Sequence, residues 1–194
     1  MRKVPLMPRN YRGRAFERVG LKIGDFAGLS IEEPLDPFSL AEFVKIHVIE
    51  PLEVSGLPAS VLAELTGRSS STWSAATVSL PDGWQLCILN STHSRQRKRA
   101  SLMEEISHVV LGHEPTRIIT GTVGVAYRGY NALNEQVAYG VGAAALVPYA
   151  ALFVGLMDGQ TPDSVAQRYG VSSPLVIYRI KITMLWPLYK RKAS

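Results

Sequence analysis

Three side chains that can do chemistry lie within five residues near the middle of the chain: Glu104, Glu105 and His108. Apolar residues recur around them at helical spacing, which predicts an amphipathic helix across most of residues 94–115. Residues i and i+4 share one helix face, so Glu104 and His108 can bind a common ion while Glu105 projects beside them. This is the geometry of the zinc-peptidase motif H-E-x-x-H, in which two side chains bind the metal and the glutamate acts as general base. Glu104 replaces the first histidine of that motif.

The flanking residues predict how this helix is held in place. Ser94 offers a side-chain oxygen that can cap its start, and Gly112 is typical of a helix end. Strands are predicted directly before the helix at residues 74–80 and 84–89, separated by a Pro-Asp-Gly turn. A strand beside a metal-binding helix can hold an extended substrate chain by edge pairing.

A second long helix is predicted to open near Glu135. From Gln136 to Met157 no residue is charged, and by length alone this run could cross a membrane. We reject that interpretation because the run is rich in small residues, contains Pro148 and lacks a flanking aromatic belt. Close packing against the first helix explains the small residues equally well, so we expect a core helix and no membrane partner. A β-like stretch at residues 118–127 is predicted between the two helices.

The composition fits one compact domain with a small appended module. The 194 residues are 46% hydrophobic, which is enough to fill a core. A single cysteine excludes an internal disulfide and a cysteine-cluster metal site, and it fits the reducing cytoplasm. No apolar run follows the basic N-terminal residues, so we expect no signal peptide. The net charge of +5 could favour nucleic acid or an acidic protein, although solvated basic faces are more common.

The organisation predicted for the chain has three parts. Residues 1–29 form a basic N-terminal arm, of which residues 1–20 are expected to be loose. Residues 30–158 form the central domain. Residues 159–194 form a helical module in which helix, glycine-containing turn and helix follow the helix-turn-helix layout.

The last of these helices has a DNA-binding alternative. In a DNA-binding module it would enter the major groove with Tyr178, Arg179 and Lys181. Most of its other residues are apolar, so we expect it to pack onto the central domain. Any DNA binding would then be weak, salt-sensitive and independent of sequence.

Several of these motifs together resemble the ImmA/IrrE family of metallopeptidases, with similarity over roughly residues 30–185. The resemblance rests on the motif at residues 34–37, residues 88–90 with His93 and Ser94, residues 102–108 after an arginine-rich lead, residues 135–148, and residues 165–172. It implies an α+β zincin-like fold, with a small sheet packed on helices and a helix-turn-helix-like C-terminal module. It also implies Glu135 as a third metal ligand, a zinc cofactor and a protein substrate. Members typically cleave or inactivate a transcriptional repressor, often in stress responses or mobile-element induction.

The glutamate at residue 104 changes the expected metal chemistry. Two histidines and a glutamate around Zn²⁺ leave a net charge of +1, whereas Glu104, His108 and Glu135 leave zero. A less positive site acidifies a coordinated water less, and oxygen-rich ligation suits Mn²⁺ better than a two-histidine site does. One alternative is therefore a catalytically impaired pseudoprotease that binds its partner through the same cleft. Another is a purely local use of Glu104 in a capping box with Ser101.

Two further histidines flank the predicted helix. His93 is interpreted as an exposed loop residue. His113 follows His108 by five residues and is turned off its face, so we do not expect it to bind the metal. Three tyrosines are possible oxyanion donors, although packing is the commoner role for each: Tyr127, Tyr130 and Tyr139.

Overall fold

The computed structural model describes residues 4–113, 118–120, 126–128 and 131–193. Its architecture is α+β, with a small sheet packed on helices, which confirms the predicted zincin-like class with a helical C-terminal part. The helices are α1 Arg14–Phe26, α2 Pro37–Phe43, α3 Ala59–Thr66, α4 Arg95–Val110, α5 Ala132–Leu146, α6 Tyr149–Met157, α7 Pro162–Tyr169, α8 Ser173–Ile182 and α9 Trp186–Ala193. The strands are β1 Ile46–Ile49, β2 Ala75–Ser79, β3 Gln85–Leu89, β4 Ile118–Thr120 and β5 Ala126–Arg128.

The larger sheet has the strand order β1-β3-β2. β3 pairs in parallel with β1 and antiparallel with β2, where Thr77 lies opposite Cys87. β2 is therefore an edge strand, and it contacts α4. The predicted strands at residues 74–80 and 84–89 are confirmed. The β-like stretch at residues 118–127 is confirmed at β4 and β5, which pair antiparallel; its residues 121–125 lie outside the described part.

The central helices α4 and α5 pack closely because small residues lie at their contact. A Cβ built on Gly142 of α5 would lie 3.2 Å from the backbone oxygen of Met103 on α4 and 3.3 Å from Ser107 Oγ. On the other side of α5, a Cβ on Gly20 of α1 would lie 2.8 Å from the backbone nitrogen of Ala145. The glycines therefore allow three helices to approach at backbone distance, as predicted for the small residues of this run.

The apolar run predicted as one long helix is two helices. α5 ends at Leu146 and α6 begins after Pro148, with a bend of 47° between them. Within the described residues no single helix is long and apolar enough to span a membrane, although this bent pair meets the length and hydropathy criteria together. Most residues of α5 and α6 are buried in the protein core.

The prediction of a loose arm is wrong from Arg14 onward. Residues 14–26 form α1, whose apolar side chains contact α5 and whose Ile23 is buried. The apolar residues that give this segment its helical period are Phe16, Val19 and Ile23. They are interspersed with basic residues, which suggested a solvated arm.

A buried ion pair joins α1 to α8 at the bend between α5 and α6. Arg179 and Glu17 are in contact, and both side chains are at most 1% exposed. Arg179 Nε donates to the carbonyl of Val147 at 3.0 Å, and Glu17 Oε2 accepts from the backbone N–H of Tyr149 at 3.2 Å. Tyr11 donates to Glu17 Oε1 at 2.9 Å. The pair therefore satisfies backbone groups that the helix break leaves without helical partners.

The burial of Arg179 shows that α8 packs against the rest of the protein. α7, a turn at Gly170 with φ +62°, and α8 confirm the helix-turn-helix layout, and α8 packs on the rest of the protein as expected. Arg179 has no exposed surface, so its suggested role as a DNA contact is wrong. α9 was not predicted.

Part of the arginine-rich start of α4 is also structural. Arg99 Nη1 lies 2.7 Å from Asp36, which caps α2, and Arg99 Nη2 donates to the carbonyl of Leu35 at 2.6 Å. Lys98 pairs with Glu50 at 2.5 Å. These two cations hold α4 against the preceding elements.

Removing one partner of the buried pair should strongly destabilise the protein. We expect Arg179→Met or Glu17→Leu to lower the free energy of unfolding by about 3–5 kcal/mol, because the remaining charge stays buried without its partner. Arg168→Ala is the control, since Arg168 and Glu32 are 3.9 Å apart and both are half exposed; it should cost less than about 1 kcal/mol. Urea denaturation measures both, and equal losses would contradict this ranking.

Cys87 should report on the opening of the sheet. Burial, with a smaller contribution from Glu105, raises the pKa of its thiol to about 12, while a hydrogen bond with Thr77 acts in the opposite direction. At pH 8 only about one thiol in 10⁴ is then ionised, and the thiolate is the nucleophile. Iodoacetamide should alkylate Cys87 far more slowly in native protein than in urea. Similar rates in both states would show that Cys87 is accessible.

Candidate metal centre

His108 and Glu135 face each other across the contact between α4 and α5. The His108 Nε2 and Glu135 Oε2 atoms are 3.6 Å apart. Two atoms that each bind Zn²⁺ at about 2 Å with tetrahedral geometry lie about 3.3 Å apart. The two side chains therefore fit a shared divalent ion after a small adjustment.

Local capping places Glu135 at this point. The side chain of Asn131 accepts hydrogen bonds from the backbone N–H groups of Leu133 and Asn134, so α5 begins just before Glu135. Glu135 lies in the first turn, where the helix dipole favours a carboxylate. Because His108 faces Glu135 while Met103 faces Gly142, α4 and α5 run in opposite directions.

Glu104 lies one turn before His108 on α4, and its surroundings differ from those of His108. Its negative charge contributes to the raised pKa of Tyr139, after burial and the charge of Tyr178. Tyr139 lies one turn after Glu135 on α5, so the charge of Glu104 acts on a residue in the second turn of α5. Among the described residues, no three His, Cys, Asp or Glu side chains converge closely enough to hold one ion. The structure thus brings together two of the three predicted ligands, and the ligand role of Glu104 stays a prediction.

Glu105 projects from the same helix toward the sheet. Its Oε2 accepts a hydrogen bond of 2.7 Å from Thr77 Oγ1 on the edge strand β2. Cys87 on β3 lies beside them, since both residues affect the pKa of its thiol. Glu105 therefore lies one turn before His108 on α4 and contacts β2, an edge strand of the sheet.

His113 contacts His108, which the spacing did not predict. The two Nδ1 atoms are 3.1 Å apart, and the rings meet edge to face with centroids 5.0 Å apart. Burial and the neighbouring His108 lower the pKa of His113, while Glu135 acts in the opposite direction. The signal that could have revealed this contact is Gly112, which turns the chain back at the end of α4 with φ +67°.

The two remaining histidines lie elsewhere. His47 stacks on Trp84 with ring centroids 4.1 Å apart, consistent with a structural role. His93 precedes α4 and is half-buried rather than exposed; burial, Arg97 and Lys98 lower its pKa. The other functional contact that sequence reasoning missed is Thr77, which alternation places on the helix-facing side of β2 together with Ala75.

Comparison with known proteins supports this description of the fold and of the central helices. The family model for the IrrE N-terminal-like domain, a peptidase family, matches residues 68–181, which is more than half of the chain. A solved structure of a Mycobacterium tuberculosis transcriptional regulator superposes with a TM-score of 0.51 at 12% identity. At that identity the likeness shows the fold alone.

The two chains differ in length. The superposition covers 86% of this chain and 46% of the regulator, so the chain spans less than half of that protein. A search of curated proteins gives no match. The family match covers β2, β3, α4 and α5, which are the elements that position Glu105, His108 and Glu135. The chain belongs to the family of the IrrE N-terminal-like domain and contains its metallopeptidase-like domain.

Proposed function

We propose that the protein is a metal-dependent endopeptidase that acts on a regulatory protein. The observation that carries the proposal is the contact of 3.6 Å between His108 Nε2 and Glu135 Oε2. Glu105 lies beside this contact and is held by an edge strand. A pair of metal ligands next to a carboxylate is the donor set that metal-assisted hydrolysis of a peptide requires.

His108 and Glu135 would hold the ion, with Glu104 as the proposed third ligand. Zn²⁺ is the expected ion, and Mn²⁺ is the alternative that an oxygen-rich site favours. When bound, such an ion would polarise the scissile carbonyl and lower the pKa of a coordinated water.

Glu105 would act as general base and then as general acid. Thr77 donates to Oε2, which leaves Oε1 without a hydrogen bond from Thr77 and able to accept the proton of the attacking water. The same carboxyl would return that proton to the amine of the leaving peptide. Thr77 keeps the carboxylate oriented toward β2, whose edge can hold an extended substrate by backbone hydrogen bonds.

A transcriptional repressor is the proposed substrate. Support comes from membership of the IrrE N-terminal-like family and from the resemblance to ImmA/IrrE peptidases. The basic charge of the chain also favours an acidic partner surface.

A pseudoprotease that binds a partner without hydrolysis is the second candidate. It is favoured by the glutamate at residue 104, which stands in place of the first histidine of the H-E-x-x-H motif. With Glu104 as a ligand the site has a net charge of zero, and such a site would lower the pKa of a coordinated water less than a positive site does.

Metal binding should depend on His108 and Glu135 but not on Glu105. We expect His108→Ala and Glu135→Gln to remove stoichiometric Zn²⁺, measured by metal analysis of protein purified without chelator. Glu105→Gln should keep the metal but lower the cleavage of labelled casein by about 10²–10⁴-fold, because the amide accepts no proton. If wild-type protein and His108→Ala carry the same metal content, the proposed centre is wrong.

Glu104→His should strengthen the site. The change raises the site charge by one and restores two imidazole ligands at i and i+4. Zinc affinity should rise by about tenfold or more, the scale on which even outer-shell partners act, and peptidase activity should rise with it. Adding Glu105→Gln should abolish the gain in activity and preserve the gain in affinity. Unchanged affinity in Glu104→His would place residue 104 outside the metal shell and favour the pseudoprotease.

A further inference from the structure

We propose that His113 is the positioning residue for His108. It accepts the Nδ1–H of His108 and so keeps His108 Nε2 unprotonated and directed at Glu135. This inference rests on the proposed function, because a metal-binding imidazole needs a free electron pair at Nε2.

The end of α4 places His113 by backbone geometry. The N–H of His113 donates to the carbonyl of His108 at 3.0 Å, and the N–H of Gly112 donates to the carbonyl of Val109 at 3.0 Å. Together with the left-handed Gly112, these two bonds form a Schellman motif. In that motif the residue after the glycine returns over the last turn of the helix. His113 therefore reaches His108 although the two residues are five positions apart.

The two ring nitrogens of His108 have different partners. Nδ1 lies 3.1 Å from His113 Nδ1, which is within hydrogen-bond distance, whereas Nε2 lies 3.6 Å from Glu135 Oε2, which is beyond it. A neutral imidazole carries one proton. Placing that proton on Nδ1 forms a hydrogen bond to His113, and Nε2 then offers its electron pair on the side of Glu135. Metal-binding histidines commonly donate their second ring N–H in this way.

This arrangement assigns His113 a role other than metal binding. Its Nδ1 is engaged with the nitrogen of His108 that is not directed at Glu135. His113 would thus fix the tautomer and the ring angle of a ligand without being one itself.

The chain offers matched substitutions for a test. His113→Asn keeps an acceptor oxygen near the position of Nδ1, whereas His113→Leu removes the acceptor and keeps a side chain of moderate volume. His93→Leu is the control, because His93 precedes α4, whose first residue, Arg95, lies about 20 Å from His108 along the helix axis.

The first measurement is the tautomer of His108, read from ring ¹⁵N shifts in the metal-free protein. The sequence has only four histidines, so the signals can be assigned by substitution. We expect the Nδ1–H form in wild type and in His113→Asn, and a shift toward the Nε2–H form in His113→Leu. Wild-type protein with the Nε2–H form would overturn the proposal, and this result does not require His113→Leu to fold.

The second measurement is the affinity for Zn²⁺ by titration. His113→Leu should weaken it by about 10–100-fold, the usual effect of removing such a partner. His113→Asn and His93→Leu should stay within a few-fold of wild type. Equal affinity for wild type and His113→Leu would overturn the positioning role while leaving the metal site intact. Failure of wild type to bind Zn²⁺ would instead overturn the proposed function, and the tautomer measurement would still decide the hydrogen bond.

Discussion

The buried contact between Arg179 and Glu17 is the constraint on which the rest of the structure depends. The helix break at Pro148 leaves a carbonyl at the end of α5 and an N–H at the start of α6 inside the core. The Arg179 guanidinium donates to the carbonyl at the end of α5, where the helix dipole is negative. The Glu17 carboxylate accepts from the N–H at the start of α6, where the dipole is positive. Neither charge could be buried alone, so α1, the bend and α8 must assemble together.

This assembly fixes α5, and α5 in turn presents Glu135 to α4. Gly20 of α1 and Gly142 of α5 remove the side chains that would separate the helices. The first and the last parts of the chain therefore support the centre although neither contributes a residue to it. A carboxylate and an imidazole held by packed helices keep their separation better than the same groups would on loops.

Local patterns predicted the central elements well, and contacts distant in sequence were not predictable. The period of α4, its cap at Ser94 and the alternation of β2 and β3 are all local features, and each is confirmed. Glu17 and Arg179 are 162 residues apart, and nothing near either residue indicates its partner. The contact of His113 with His108 was not predicted because helical spacing does not apply past Gly112, where the backbone is left-handed. The pairing of His108 with Glu135 followed from family resemblance and not from spacing.

The glycine at residue 142 has a consequence for how such a site can vary. Residue 142 lies two turns beyond Glu135 on α5, at the point where the backbone of α4 comes within van der Waals distance. At this point the separation of the two helices is set by the main chain of Met103 and the small side chain of Ser107 against a glycine, and not by large side chains. The chemical identity of a donor on α4 can then change from imidazole to carboxylate without changing the dimensions of the space it faces. Dimension and donor chemistry are therefore separate properties of this gap, and the proposed ligand role of Glu104 would change only the donor chemistry.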